Sequence, residues 1–392
     1  MAFSIGWGGC DNADKTFMVG LSAPRFTSKF VALDDNPYFN NAKSSWGYTL
    51  SGVDKDSTAQ DFTDHHLQQA ANPGWQSLRA GVQELYYVPG DHGWGGDNWD
   101  HTQTQAAAQG GIGASTYQHV YDHWKTGKLV HDSYASSYYD NPSDYTHPSR
   151  VAEYPSEVIS QSPTGQSLDH FQPMYFAKYY DINGSELPTS SGAHVVMLVL
   201  DCISHRSPLT ATDDASKTML GVNQLAWVKA VLLEAESEGV PLKAIFAAKT
   251  LFLVTGNGDI WRKYTTERDD LLSYIHSNIT GVIYCCGDQH HSHVSKADTS
   301  DGDAYDMLCV CAAPAGVEQN NISAVGADQN IWVDRNAVLD DGGNELVWGL
   351  LEAHTDRWVV KVMPIDGGAP KWQGQVLAGQ NKLSYADIAA AV

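Results

Sequence analysis

The chain has little basic charge and no long apolar run, and both absences narrow what it can be. Twenty-four Lys and Arg stand against 46 Asp and Glu in 392 residues, a formal net charge of −22. A field of that sign disfavours nucleic-acid backbones and anionic membrane surfaces as general partners. Solubility or a saline habitat accounts for such acidity without an acid-specific function. No segment approaches the roughly 20 apolar residues that span a bilayer; "HVVMLVLDCI" is about half that length and reads as a buried strand. The opening "MAFSIGWGGC" lacks the basic and apolar regions of an export signal. The expected location is therefore the cytoplasm or an assembled particle, with an extracellular role left open. Cysteines are few, six in all. Cys285, Cys286, Cys309 and Cys311 sit in or beside strand-like runs, where neighbouring side chains point to opposite faces, so reduced, buried thiols are expected rather than a disulfide framework.

What is present is alternation. Apolar β-type runs at 2–10, 30–33, 85–88, 194–201, in "KAIFAAKTLFLV" and in "GVIYCC" are interleaved with helical spacing. One helix is read over 61–79, broken at Asn72-Pro73-Gly74. The clearest amphipathic pattern covers 221–240, with Leu225, Trp227, Val228, Val231 and Leu232 on one face, and "TTERDDLLSYIHS" is a third helix. Residues 101–190 differ: rich in Ser, Tyr, His, Asp and Gln without clean periodicity, they read as a long insertion, a lid or a surface for an assembly partner. From "YDMLCVCAAP" onward the pattern is successive short antiparallel strands with Gly-rich turns. The expected organisation is a single α/β domain over 1–392, with 101–190 inserted and 305–392 a β-rich C-terminal part.

Four of the strand runs end in potential ligands: Cys10; Asp35 with Tyr38; Asp91 with His92; Asp288 with His290. An Asp after a strand is ordinarily a turn residue or helix cap, and a lone His ordinarily a satisfied polar group. Four such ends together favour metal binding. Carboxylate, imidazole, phenolate and thiolate suit hard or borderline cations, and a shared aspartate can hold two ions about 3.5–4 Å apart for in-line phosphoryl displacement.

In order, the segments "GGC" (8–10), "DDNPY" (34–38), "GDH" (90–92), "LDCISHR" (200–206), "LGVNQLAWVKAVL" (220–232), "DIWRKYTTER" (259–268) and "GDQH" (287–290) resemble those of the PhoD-type alkaline phosphatases/phosphodiesterases of the metallophosphoesterase superfamily. That resemblance implies a four-layer α/β/β/α sandwich that hydrolyses phosphate monoesters or diesters through a metal-bound water or hydroxide. It implies Fe3+ and Ca2+ as cofactors, with Cys10, Tyr38 and His290 on the iron, Asp35 bridging, and Asp91 and Asp288 at the second ion. His92 would stand beside the phosphate as general acid, and Arg206 would either steer the anion or brace Asp201. The chain departs from the pattern at Asp34, where the motif has glycine, at Gly90, where it has aspartate, and at Ile203, where arginine is frequent.

Several neighbours keep two readings. His291 and His293 are expected in supporting or surface positions rather than as ligands. Asp259 and Trp261 either line the site or stabilise a loop; Asp97, Asn98 and Trp99 follow the Asp91-His92 turn; Gln224 and Trp227 are expected to be structural. The competing functional reading is a non-catalytic component of a larger particle such as a virion. A calcium-stabilised carbohydrate module using the 12 Trp and 19 Tyr is weaker, because aromatics scattered through α/β segments usually form core.

Overall fold

The computed structural model describes residues 3–9, 29–33, 73–88, 140, 175–203, 206–207, 209–251, 261–287, 292–296, 307–312, 330–333, 347–364 and 368–380. Two sheets are formed. The first runs β14-β13-β12-β1-β2-β3, from β1 (Phe3–Gly9), β2 (Lys29–Leu33), β3 (Glu84–Val88), β12 (Val347–Ala353), β13 (Arg357–Pro364) and β14 (Trp372–Leu377). The second runs β11-β9-β10-β8-β7-β6-β4-β5, from β4 (Phe176–Tyr180), β5 (Glu186–Leu187), β6 (Val195–Leu200), β7 (Leu242–Ala247), β8 (Val282–Cys286), β9 (His293–Lys296), β10 (Leu308–Cys311) and β11 (Asn330–Val333).

Period-two alternation sorts the strand residues into layers. In β6, Val195, Met197 and Val199 enter the core between the sheets, while Val196, Leu198 and Leu200 face the helices α2 (Val222–Ser237) and α3 (Thr265–Asn278). In β2 and β3, Val31, Leu33, Tyr86 and Val88 face the inter-sheet core, and Phe30, Ala32, Leu85 and Tyr87 meet Trp75 and Leu78 of α1 (Pro73–Gly81). Helix, sheet, sheet, helix is the four-layer sandwich expected from the sequence. Strands apolar on both faces follow from that double cover.

Packing rather than ion pairing holds these layers. Trp7, Trp75, Trp227, Trp261, Trp348 and Trp358 are all wholly buried, and truncating one such ring costs about 3–5 kcal/mol. Surface pairs such as Lys229–Asp270 and Arg268–Asp269 contribute about 1 kcal/mol or less each. Trp7 crosses the inter-sheet core to meet Phe246 edge-on at 6.0 Å.

Local chemistry fixes the helix ends. Pro73 opens α1, so the Asn72-Pro73-Gly74 signal read as a break is a helix start, where a missing N–H costs nothing; residues 61–72 lie outside the described set. Helix α2 closes on Gly239 at φ 72°, with the Val240 N–H reaching the Ala235 carbonyl. The N-terminus of α3 takes its cap from a distant loop: the Asp213 carboxylate accepts from the Thr265 and Thr266 N–H groups.

Three expectations change. The stretch read as insertion, 101–190, contributes β4 and β5 to the second sheet, and Asp140 binds the β3 edge through both backbone groups of Leu85 and through Arg79. Leu308–Cys311 pairs antiparallel with β9 but parallel with β8 on its other side, so the antiparallel reading from 305 onward holds throughout β12–β13–β14 and only on one side of β10. The strand read through "KAIFAAKTLFLV" stops at Ala247. The five described cysteines are free and buried, as expected, and no described helix is long and apolar enough to cross a membrane.

At the N-terminal ends of β2 and β3 the sheets are joined by charge. Lys29 donates to Glu84, whose other oxygen takes the hydroxyls of Tyr86 and Tyr180, the latter at 2.9 Å from the opposite sheet. Burial alone would raise the Glu84 pKa, but Lys29 and the two phenols outweigh it and hold the carboxyl below its ordinary value. A depressed carboxyl contributes stability that is present above the unfolded glutamate pKa, about 4.3, and lost as pH falls through the folded value. Glu84→Gln should therefore cost about 2 kcal/mol at pH 7, with the gap to the unsubstituted protein narrowing on acidification. Urea unfolding at neutral pH and near pH 4 measures this; a gap independent of pH would show that the charge is not its source.

Candidate metal centre and its surroundings

Parallel pairing brings strand exits to one edge of each sheet. In the first sheet Gly9, Leu33 and Val88 are level across β1, β2 and β3; in the second Leu200, Ala247, Cys286 and Cys311 are level across β6, β7, β8 and β10. The two edges meet. A Cβ built on Gly9 would lie 2.3 Å from the carbonyl oxygen of Leu33, its neighbour in the same sheet, and 3.4 Å from the Gly287 Cα of the other sheet. One built on Gly287 would lie 3.3 Å from Leu33 Cβ and 3.4 Å from the Gly9 Cα. Only residues without side chains allow this approach.

The next residue in the chain after each of these three is chemically loaded: Cys10 after Gly9, Asp34-Asp35 after Leu33, Asp288 after Gly287. Val88 leads through Pro89-Gly90 to Asp91-His92. Cys10, Asp35, Tyr38, Asp91, His92, Asp288 and His290 themselves lie outside the described residues, as do Asp97–Trp99, Asp259 and His291. The structure thus brings together the backbone that leads to three of the four predicted ligand groups, and sets the fourth beside them by strand register.

Past the ladder a strand loses its hydrogen-bond partners, and each unpaired buried backbone group is costly. At the exits of the second sheet, side chains take over. Asp201, after β6, has its N–H and C=O both bound by Gln224 of α2. Lys249, two residues past β7, has its carbonyl bound by the Tyr284 hydroxyl at 2.8 Å, and Trp261 donates to that hydroxyl at 3.1 Å. Gly287, after β8, donates to the Ala248 carbonyl and accepts from Cys311 Sγ. Trp261 is therefore buried beneath the strand exits, and Gln224 and Trp227 are buried structural residues as expected.

Arg206 is wholly buried, together with Asp201, Cys202 and Lys249. Burial pushes the Cys202 thiol up; a Lys249 N–H and the Lys249 and Arg206 charges pull against that, while Asp201 adds to it. A neutral thiol results, packed within a cluster of one carboxylate and two cations. Lys249 was not singled out in the sequence, because a lysine inside an apolar run reads as the middle of a strand; its signal is a cation where that run should have stayed apolar.

His293 is not a surface residue. It is buried in β9, level with Cys311, with Nε2 3.2 Å from the Thr250 hydroxyl, and Thr250 in turn lies 3.8 Å from Cys309 Sγ. Cys286 and Cys309 sulfurs are 3.7 Å apart. Burial holds both thiols well above their ordinary pKa, so they stay protonated and inert. Among the described residues no group of three or more His, Cys, Asp or Glu could hold a metal ion.

Two sequence motifs are bonded to one another. Buried Glu267 of α3 accepts from the Met219 and Leu220 N–H groups ahead of α2, with Leu220 at 3.2 Å. Burial raises its pKa despite these bonds.

Residues 188–333 match the family model described as PhoD-like phosphatase. The match covers β6 to β11 with α2 and α3, 146 of the 392 residues, the part of the fold that leads to Asp288 and His290. The solved structure of PhoD aligns with a TM-score of 0.63 at 14% identity, covering 98% of this chain and 71% of that one. Purple acid phosphatase PPD1 from seeds of yellow lupin (Lupinus luteus) aligns with a TM-score of 0.51 at 8% identity, covering 94% of this chain and 52% of that one. At such identities the structural likeness speaks to the fold, and both sheets share in it. No curated protein matches the chain in sequence.

The close backbone packing at these strand ends makes its own prediction. Gly9→Ala drives a methyl group into the Leu33 carbonyl and should cost about 1–3 kcal/mol through backbone displacement. Gly287→Ala meets its neighbours at 3.3 Å and beyond and should cost less. Equal losses in denaturant unfolding of the two variants would contradict the packing described.

Proposed function

We propose that this chain, a PhoD-type member of the metallophosphoesterase superfamily by its family match and its fold, hydrolyses phosphate monoesters or diesters with metal ions held at the meeting strand ends. The observation that carries the reading is the contact of Gly9, Leu33 and Gly287, which leads three chain segments bearing Cys10, Asp35 and Asp288 away from one point. Nothing in a purely structural sandwich requires those residue types at that point.

The donor chemistry fits the proposed ions. Cys10, Tyr38 and His290 would supply thiolate, phenolate and imidazole, a set suited to Fe3+; Asp35 would be shared, and Asp91 and Asp288 would supply the hard oxygens that Ca2+ takes. When bound, such ions supply Lewis-acid polarisation of the ester phosphate and a lowered pKa for water. The chain's own groups do the rest. His92 would hold a proton for the leaving oxygen, the general-acid role open to an imidazole. Asp201, Arg206 and Lys249 set the field behind the β6 and β7 exits, with Arg206 bracing rather than touching the ester.

Metal analysis of freshly purified protein, with hydrolysis of a chromogenic phosphomonoester and phosphodiester, tests the proposal. Iron near one per chain is expected. Asp288→Ala and Cys10→Ala should each lose more than the about 10–100-fold that changes behind a ligand shell cost. Bound metal without turnover of either ester would return the chain to the non-catalytic reading, and absence of metal would overturn the site.

A further inference from the structure

Gln224 reaches the site by a route that helical spacing does not show. It sits at the third position of α2, wholly buried, and its amide is fully used. Oε1 accepts the Asp201 N–H at 2.9 Å, while Nε2 donates to the carbonyls of Asp201 at 2.8 Å and Leu220 at 2.9 Å. Exchange of both bonds with one residue is what a partner strand does in an antiparallel ladder. Here it occurs where the ladder has ended: β4 pairs with β6 only as far as Val199, and β7 only as far as Leu200. The amide extends the sheet by one residue from the helical side. Just past it the Asp201 carboxylate accepts the Ile203 N–H at 2.9 Å, and buried Arg206 follows in the chain.

We propose that Gln224 is a positioning residue of the hydrolytic site, fixing the β6 exit so that Asp201 and Arg206 stand at a set distance from the meeting strand ends. The inference rests on the hydrolase reading above and extends it to a residue that touches neither metal nor ester. Glu267 anchors the other side of the same element by holding Met219 and Leu220, so the start of α2 is tied to the strand exit and to α3 at once. A bidentate side-chain clamp is stiff; losing it lets the exit move, and a displacement of about 1 Å at a site can cost 10²-fold in rate.

Gln224→Met keeps the volume and removes every bond, and Leu232→Ala, buried in the same layer of α2, lowers stability while leaving both hydrogen bonds to Asp201 in place. Both are assayed for metal content, for kcat/KM on the chromogenic esters and for amide hydrogen exchange over residues 201–206. Gln224→Met should lose about 10- to 100-fold in kcat/KM at unchanged metal content, with faster exchange over 201–206. Leu232→Ala should keep both near those of the unsubstituted protein. Equal behaviour of the two variants, or an unchanged kcat/KM in Gln224→Met, overturns the proposal. If the unsubstituted protein turns over no ester, the hydrolase reading fails, and inorganic phosphate affinity replaces kcat/KM. Weaker phosphate binding in Gln224→Met then supports the positioning role, and equal binding overturns it.

Discussion

Backbone contact between Gly9, Leu33 and Gly287 is the constraint on which the rest of the sandwich depends. Stacked sheets normally lie about 10 Å apart, spaced by two layers of side chains. Deep in the core that spacing is filled by large groups such as Trp7 and Phe246. At the C-terminal edge it falls to a distance at which a built methyl group touches the opposite backbone. Loss of side chains at Gly9 and Gly287 lets the sheets converge, and convergence is what allows segments far apart in sequence to leave from one place.

Convergence at one edge asks for restraint at the other. The Lys29–Glu84–Tyr86–Tyr180 group supplies it at the N-terminal ends of β2 and β3, joining both sheets through one carboxylate. A buried ion pair of this kind contributes little net stability compared with well-packed apolar groups, but breaking it leaves an uncompensated charge.

The helical layer does more than cover the second sheet. Through Gln224, Trp261 and Glu267 it reaches the strand exits and the loop ahead of α2, replacing hydrogen bonds that the sheet no longer provides. All three residues lie inside the stretch that matches the PhoD-like phosphatase family. Their chemistry is polar and buried, and each is spent on backbone groups rather than on a ligand.

The sequence by itself determined the α/β alternation, both long helices and the positions where strands give way to Gly, Asp and His, because period and turn chemistry are local properties. Strands apolar on both faces, such as Val195–Leu200, already implied a second layer of cover. Four outcomes needed the tertiary structure. Pro73 starts a helix rather than breaking one, since a proline ring suits the first turn once the chain has turned into it. Leu308–Cys311 lies parallel to β8, because its partner is chosen by which sheet edge is free, and hairpin spacing carries no trace of that. Lys249 falls past the end of β7, at the site's edge, because the ladder with β6 and β8 ends two residues earlier. His293 enters the core instead of the surface, because alternation along β9 sends Val294 into the inter-sheet core and His293 to the other face, where its imidazole meets Thr250. Residue type and order fix what can bind; which strand ends touch is set by pairing across the chain and by the absence of a side chain at two glycines.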